Sequence, residues 1–323
     1  MRRTYAALDL GTNNCRLLVA RPSDDGFIVV DAFSRIVRLG EGLGASGRLS
    51  DAAMDRAVSA LSVCADKLRR RHVSLVRSVA TEACRRAANG RDFVERVYRE
   101  TGIQLEIITA EQEARLAVTG CHALLEPGDG PALIFDIGGG STELVLIDPS
   151  AEEPRIIDWF SAPWGVVSLT ESEPHDGDCA ADRIASYARM RDRVAAAFAG
   201  FAEGLRGRGA EPRRLLGTSG TVTTLASLHL ELPSYDRRAI DGLIVPSEAM
   251  RDISTRLSGM SLAERATLAC IGHERADLVV AGCAILEAIL DIWPADRLGV
   301  ADRGIREGIL RSLMARDQQA VRR

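Results

Sequence analysis

The stretch Phe135-Asp136-Ile137-Gly138-Gly139-Gly140 is the most informative about the fold. A related stretch, Leu8-Asp9-Leu10-Gly11-Thr12-Asn13, lies earlier in the chain. Asp9 precedes Asp136 by 127 positions, and the same interval separates Gly11 from Gly138. Each stretch is typical of a short apolar strand that reaches an acidic residue and enters a glycine turn. A repeat at matching positions predicts two like modules in one chain.

Each copy continues with two further predicted strands. In the first copy they cover residues 15–20 and 27–32. In the second, a strand over 132–136 is followed by strands over 142–147 and 155–160, and Gly, Pro, Asp and Ser supply the turns. Sequence typical of alternating helices and strands follows both sets. We therefore predict an α/β fold of two lobes, with the glycine turns on either side of a cleft.

Helix signals suggest where the lobes divide. Ser50 is a candidate N-cap of one helix, and Thr109-Ala110-Glu111-Gln112 has the capping-box pattern that opens another. Residues 126–131, Glu-Pro-Gly-Asp-Gly-Pro, then break the helical pattern. We expect lobes at 1–126 and 127–302, and a final helix within 303–323 that returns to the first lobe.

The composition excludes several functional classes. The 323-residue chain carries a formal net charge of −4, whereas a general nucleic-acid binder would show a basic excess. Lys67 is the only lysine and no Gly-Lys pair exists, so a Walker A loop is excluded. There is no signal-peptide pattern, and no apolar run reaches the ~18 residues of a membrane span. We expect a soluble, cytoplasmic protein that binds neither nucleic acid nor membranes.

The paired glycine turns point to phosphate chemistry. Glycine turns bring backbone N–H groups close to phosphate oxygens, because no side chain intervenes. A carboxylate beside such a turn would repel phosphate unless a cation stood between them, so Asp9 and Asp136 imply Mg²⁺. A plain hairpin would explain either turn alone, but two turns at matching positions favour a phosphate site.

Six motifs along the chain resemble the exopolyphosphatase and guanosine pentaphosphate phosphohydrolase family, in the same order. The most specific is Asp136-Ile137-Gly138-Gly139-Gly140-Ser141-Thr142-Glu143. The others are Asp9-Leu10-Gly11-Thr12-Asn13-Asn14-Cys15-Arg16, Ala80-Thr81-Glu82-Ala83-Cys84-Arg85-Arg86-Ala87-Ala88-Asn89, Glu111-Gln112-Glu113-Ala114-Arg115-Leu116, Gly217-Thr218-Ser219-Gly220-Thr221 and Gly304-Ile305-Arg306-Glu307-Gly308. The resemblance implies the duplicated fold of actin, sugar kinases and heat-shock ATPases, in a short two-domain form.

The resemblance also implies roles for particular residues. Glu113 corresponds to the family's proposed base, which takes the proton of the attacking water. We expect phosphate contacts from the three glycine loops and from two arginines, which are always charged and can bind bidentately: Gly11, Thr12, Asn13, Asn14, Arg16, Arg85, Gly138, Gly139, Gly140, Ser141, Thr142, Gly217, Ser219 and Gly220. Asp136, Glu143 and Asp9 are the candidate metal ligands.

Three departures from the family pattern are Asn14 in place of serine, Gln112 in place of glutamate, and Ala281 in place of proline. The leading hypothesis is a Mg²⁺-dependent exopolyphosphatase that removes the terminal phosphate of inorganic polyphosphate. Hydrolysis of guanosine pentaphosphate would use the same site. A nucleotide-dependent conformational module and a sugar kinase share the fold and stay open as alternatives. We also expect a homodimer.

Overall fold

The computed structural model describes residues 3–24, 26–150 and 154–322. The chain divides into two compact units, of which unit 1 comprises Met1–Gly120 with Gly304–Arg323 and unit 2 comprises Cys121–Arg303. The units therefore divide at Gly120 and Arg303, whereas the sequence pattern suggested 126 and 302. In the described residues no helix is long and apolar enough to cross a membrane.

Unit 1 contains a five-stranded mixed sheet. Its strands are β1 (Tyr5–Leu10), β2 (Asn14–Ser23), β3 (Gly26–Ile36), β4 (Leu75–Ala80) and β5 (Leu105–Ile107). They lie in the order β3-β2-β1-β4-β5, with β1, β2 and β3 antiparallel and β4 and β5 parallel to β1. Both faces of β1 are buried, which explains its nearly continuous apolar sequence.

Two helices of unit 1, α2 and α5, begin where the sequence signals place them. They are α1 (Leu43–Ser46), α2 (Asp51–Arg70), α3 (Glu82–Arg86), α4 (Gly90–Thr101) and α5 (Ala110–Cys121). The Ser50 side chain accepts a hydrogen bond from Ala53 N and so caps α2. At the start of α5, Thr109 Oγ1 accepts from Gln112 N and Gln112 Oε1 accepts from Thr109 N, so the predicted capping box is confirmed.

Unit 2 repeats the sheet with one additional strand. Its strands are β6 (Ala132–Ile137), β7 (Thr142–Asp148), β8 (Arg155–Ala162), β9 (Arg214–Thr218), β10 (Ile244–Pro246) and β11 (Arg297–Ala301). They lie in the order β10-β11-β9-β6-β7-β8. Apart from β10, this is the topology of unit 1, and the predicted α/β fold with two like units is confirmed.

The helices of unit 2 bury the larger of the hydrophobic cores. They are α6 (Val166–Ser172), α7 (Ala180–Gly207), α8 (Gly220–His229), α9 (Arg237–Ile240), α10 (Ser247–Gly259), α11 (Leu262–Ala266) and α12 (Val279–Ile292). Every residue from Val279 to Leu290 in α12 is buried, because α12 packs against α7, α10 and α8. Its sequence is apolar from Val279 to Leu290 except at Glu287, which matches that central position.

The last helix, α13 (Ile305–Arg322), packs on β1, β2 and β4 of unit 1. Ile309, Leu310 and Met314 form a small core with Tyr5 and Leu18. The chain thus leaves unit 1 at the end of α5 and re-enters it with α13.

Candidate active site

The first glycine loop, between β1 and β2, is held by backbone hydrogen bonds. Gly11 N donates to Asn14 O at 2.9 Å, and Gly40 N donates to Thr12 O at 2.9 Å. Two more backbone N–H groups, from the segment after β3, donate to Asn13 O. Asn13 Oδ1 is buried and has no hydrogen-bond partner among the described residues. Backbone hydrogen bonds therefore hold the loop in one conformation, and Asn13 Oδ1 is left to accept a hydrogen bond from another group.

The second glycine loop, between β6 and β7, has the same geometry. Gly138 N donates to Ser141 O at 3.0 Å, and Val167 N donates to Gly139 O at 2.8 Å. Both bonds stand 127 positions after their counterparts in the first loop, so the sequence repeat is also a repeat of turn geometry. A Cβ at Gly138 would lie 2.9 Å from Ser141 O, which explains glycine at that position.

The third loop joins β9 to α8. Ser219 has φ 146° and ψ 171°, a region that side-chain-bearing residues rarely occupy, and its Oγ accepts a hydrogen bond from Val222 N at 3.3 Å. Such strain costs roughly 1–3 kcal/mol and clusters at functional sites. A Cβ at Gly217 would lie 2.6 Å from the Phe135 ring, so glycine allows β9 to pack against the strand that carries Asp136.

In each unit the loops lie at the carboxyl edge of the sheet, where open α/β folds bind ligands. In unit 1, Leu10 pairs with Ala80 and Ala80 with Ile107, so the ends of β1, β4 and β5 meet. In unit 2, Asp136 pairs with Thr218, which brings the second and third loops to one edge. Backbone pairing therefore assembles a set of predicted phosphate contacts within each unit.

Asp9 ends β1 beside the first loop and faces Arg16 of β2 across the ladder. Its Oδ1 is buried, and no residue in the part of the chain that the structure describes forms a hydrogen bond with it. Burial raises the pKa of Asp9, although the positive charges of Arg16 and Arg306 act to lower it. A buried carboxylate oxygen in such a place is suited to bind a cation or a water.

Asp136 and Glu143 face each other across β6 and β7. Glu143 is 2% exposed, and its Oε1 accepts hydrogen bonds from Ser141 Oγ at 2.7 Å and from Ser161 Oγ at 2.9 Å. The sequence analysis missed Ser161, which lies on β8, because no sequence pattern distinguishes it from its neighbours. Arg16 occupies in unit 1 the place of Glu143 in unit 2, so the duplicated positions differ in charge.

These carboxylates fit a magnesium ion that also binds substrate. Among the described residues no group of three or more His, Cys, Asp or Glu side chains forms a metal cage. Mg²⁺ is usually held by one or two carboxylates together with water and substrate phosphates. Asp9, with its buried oxygen, meets that requirement in unit 1, and Asp136 with Glu143 offers the corresponding pair in unit 2. The metal stays a prediction.

Glu113 lies in the first turn of α5 and is 7% exposed. Its Oε2 accepts a hydrogen bond from Arg85 Nη1 at 3.0 Å. Ile108 N donates to Ala80 O and Thr81 N donates to Leu10 O, so the segments before α5 and α3 continue the sheet edge that holds the first loop. The structure thus places the predicted base and the first phosphate loop on the same edge of unit 1.

Arg85, a predicted phosphate clamp, makes four hydrogen bonds within the protein. Nε and Nη2 donate to Glu82 Oε2, and Nη1 donates to Glu113 Oε2 and to Ile108 O. Burial opposes the charge of Arg85, but attraction to Glu113 and Glu82 outweighs it, and the pKa of Arg85 is raised. A guanidinium has five N–H donors, so bidentate phosphate binding would require at least one of these four bonds to break. Its clamp role stays a prediction.

Two acidic residues of the candidate site, Glu82 and Glu307, were given no role in the sequence analysis. Glu82 stands three residues before Arg85, a spacing at which helical side chains meet, and this was the available signal. Glu307 is 2% exposed and accepts a hydrogen bond from Gly304 N at 2.9 Å at the start of α13. The positive charge of Arg306 acts to lower the pKa of Asp9, and the negative charge of Glu307 acts to raise it.

The sequence analysis also expected the loops of the two units to face each other across a cleft, and this arrangement stays a prediction.

Comparison with known proteins gives a consistent family. The model of the Ppx/GppA phosphatase family matches residues 18–317. Exopolyphosphatase 2 of Mycobacterium tuberculosis is 33% identical over 325 residues, which cover 95% of this chain and 98% of that protein. Guanosine-5'-triphosphate,3'-diphosphate pyrophosphatase of Aeromonas hydrophila is 30% identical over 96% of this chain, but only 59% of that protein is covered. The crystal structure of the Aquifex aeolicus Ppx/GppA family member superposes with a TM-score of 0.78 at 28% identity, covering 98% of this chain and 99% of that one.

Proposed function

This chain belongs to the Ppx/GppA phosphatase family, and we propose that it is an exopolyphosphatase that removes the terminal phosphate of inorganic polyphosphate by hydrolysis. One observation carries the proposal: a buried carboxylate, Glu113, is held by an arginine at the sheet edge that carries a rigid phosphate-type loop. Hydrolysis of a phosphoanhydride requires an oriented water and neutralisation of phosphate charge, and these residues supply both.

The roles of the chain's residues follow from their chemistry. Backbone N–H groups of the first glycine loop and the Arg16 guanidinium bind oxygens of the terminal phosphate. Glu113 accepts the proton of the attacking water, a new bond forms from the water oxygen to phosphorus, and the anhydride oxygen leaves with the shortened chain. When bound, Mg²⁺ supplies positive charge against the phosphate oxygens, and Asp9 is the residue of unit 1 that would hold it.

One relative favours a guanosine polyphosphate as a second candidate substrate. The Aeromonas hydrophila relative is named for hydrolysis of a guanosine polyphosphate, whose 5'-terminal anhydride is chemically the same bond. The decisive measurement is phosphate release from long-chain polyphosphate and from guanosine pentaphosphate, with purified protein and Mg²⁺. Faster turnover of polyphosphate supports the proposal, and turnover of the nucleotide alone would replace it with the second function. Turnover of neither would overturn both.

Glu113→Gln is the direct test of the base. Glutamine keeps the size and the contact with Arg85 but cannot take a proton, so we expect kcat to fall by about 10²–10⁴-fold. The KM for polyphosphate should change little, because the phosphate loops are untouched. Steady-state phosphate release measures both quantities.

Glu111→Gln is a matched control for this variant. Glu111 lies two residues away on the same helix, pairs with Arg115 at 2.9 Å, and has a side chain that is 49% exposed. Its substitution removes the same charge and should leave kcat unchanged. Near-normal turnover by Glu113→Gln would mean that another group activates the water.

A further inference from the structure

Glu82, the first residue of α3, binds one edge of the Arg85 guanidinium. Its Oε2 accepts hydrogen bonds from Arg85 Nε at 3.0 Å and from Nη2 at 2.5 Å. The Glu82 side chain is only 14% exposed, so this contact is shielded from solvent. Arg86 Nε lies 3.9 Å from Glu82 Oε1 and is much more exposed, which makes Arg85 the principal partner.

The opposite edge of Arg85 faces α5. Nη1 donates to Ile108 O at 2.8 Å and to Glu113 Oε2 at 3.0 Å. One guanidinium therefore joins two carboxylates that are 31 positions apart in sequence and lie on different helices. Because both edges are bound, the plane of the guanidinium is fixed, and so is the direction from which it contacts Glu113.

The two carboxylates share a single arginine. Without Glu82, Nε and Nη2 would lose their acceptor, and the guanidinium could rotate away from Glu113 towards other anions, including phosphate. Charge-assisted hydrogen bonds are directional and about twice as strong as neutral ones, so the Glu82 contact is well suited to prevent that rotation.

We propose that Glu82 is a positioning residue for the hydrolysis: by anchoring Arg85 it fixes the orientation of the Glu113 carboxylate towards the attacking water. The inference rests on the proposed function, in which Glu113 takes the proton. Glu82 itself contacts neither water nor substrate in this role. Misplacement of a reacting group by about 1 Å can cost roughly 10²-fold in rate, which sets the scale of the effect.

The test begins with Glu82→Ala and Glu82→Gln. Alanine removes the anchor, and we expect kcat for polyphosphate to fall by roughly 10–100-fold, whereas KM changes less than about threefold. Glutamine retains an acceptor oxygen and should lose less. Glu106→Gln is the control: Glu106 accepts two hydrogen bonds from Arg77 on neighbouring strands of the same sheet, with a 48% exposed side chain. Its kcat should stay at the wild-type value.

A double-mutant cycle separates positioning from a purely structural effect. If Glu82 acts through Glu113, then Glu82→Ala should lower kcat little further once Glu113 is Gln, because the base is already lost. Multiplying effects in Glu82→Ala/Glu113→Gln would overturn the proposal. Thermal unfolding midpoints of all variants show whether the fold persists. If Glu82→Ala does not fold, Glu82→Gln carries the same comparison.

The outcomes also distinguish this proposal from the function on which it rests. Loss of activity in Glu113→Gln with wild-type kcat in both Glu82 variants overturns the positioning role and leaves the proposed function standing. Near-normal activity in Glu113→Gln removes the base itself, and with it the role of Glu82. Absence of polyphosphate and guanosine pentaphosphate turnover in the wild type overturns both.

Discussion

Gly308→Ala tests how far the position of Glu113 depends on helix packing in unit 1. The helices α13 and α5 touch backbone to backbone, since a Cβ at Gly308 would lie 2.0 Å from Leu116 O and 2.9 Å from its carbonyl carbon. A similar contact occurs one turn away, where a Cβ at Gly120 would lie 2.0 Å from Gly304 O. Neither neighbour is a flexible side chain that could turn aside.

The expected losses of stability and of kcat in Gly308→Ala follow from these distances. Relief of the 2.0 Å contact requires the helices to separate by roughly 1 Å at Leu116, because non-bonded atoms approach no closer than about 3 Å without strong repulsion. Overpacking of this kind costs about 1–3 kcal/mol, and the higher helix propensity of Ala returns up to about 1 kcal/mol. Glu113 precedes Leu116 by one turn of α5, so its displacement should lower kcat by up to about 10²-fold.

The assay pairs chemical denaturation with steady-state phosphate release from polyphosphate. Gly200→Ala is the control, because Gly200 lies within α7 and a Cβ there would meet no atom of the described residues within 4 Å. That variant should be as stable as the wild type or up to about 1 kcal/mol more stable, with unchanged kcat. Wild-type stability and turnover in Gly308→Ala would show that the helices separate at no cost, and would refute the reasoning.

Two further predictions concern carboxylates in unit 1. Hydrogen bonds from Lys67 and Arg71 lower the pKa of Asp31 to about 2, so its stabilising contribution is present above the ordinary value of 3.8 and is lost as the pH falls towards 2. Asp31→Asn should lower the free energy of unfolding at pH 7 by about 1 kcal/mol, a small value because Arg71 is half-exposed. The substitution should also flatten the pH dependence of that free energy between pH 4 and 2. Denaturation curves measured at each pH would contradict this if the free energy of unfolding changed with pH as it does in the wild type. Asp9→Asn should raise the Mg²⁺ concentration needed for half-maximal phosphate release, and an unaltered Mg²⁺ titration would exclude Asp9 as a ligand.

The sequence of this protein predicted features that depend on a few neighbouring residues, such as helix caps and glycine turns. The cap at Ser50 and the capping box at Thr109 depend on hydrogen bonds spanning three residues, so the residue types present there nearly determine the geometry. The glycine turns at Gly11 and Gly138 follow the same logic, and their repetition predicted two like sheets. The family motifs added Glu113, which no local rule distinguishes from any other acidic residue in a first helical turn.

Contacts between distant segments required the tertiary structure. Arg85 was expected to bind phosphate because guanidinium groups suit that task, but the fold brings Glu82, Ile108 and Glu113 around it and occupies four of its donors. The backbone contact of α5 with α13, nearly two hundred positions later in the chain, also appears only in the fold, and both helices belong to unit 1. The sequence alone predicted the two glycine turns, the strands beside them and the caps at Ser50 and Thr109, since those features depend on near neighbours. Only packing decided which charges meet, because a side chain's partner is set by the fold that brings remote backbone segments together.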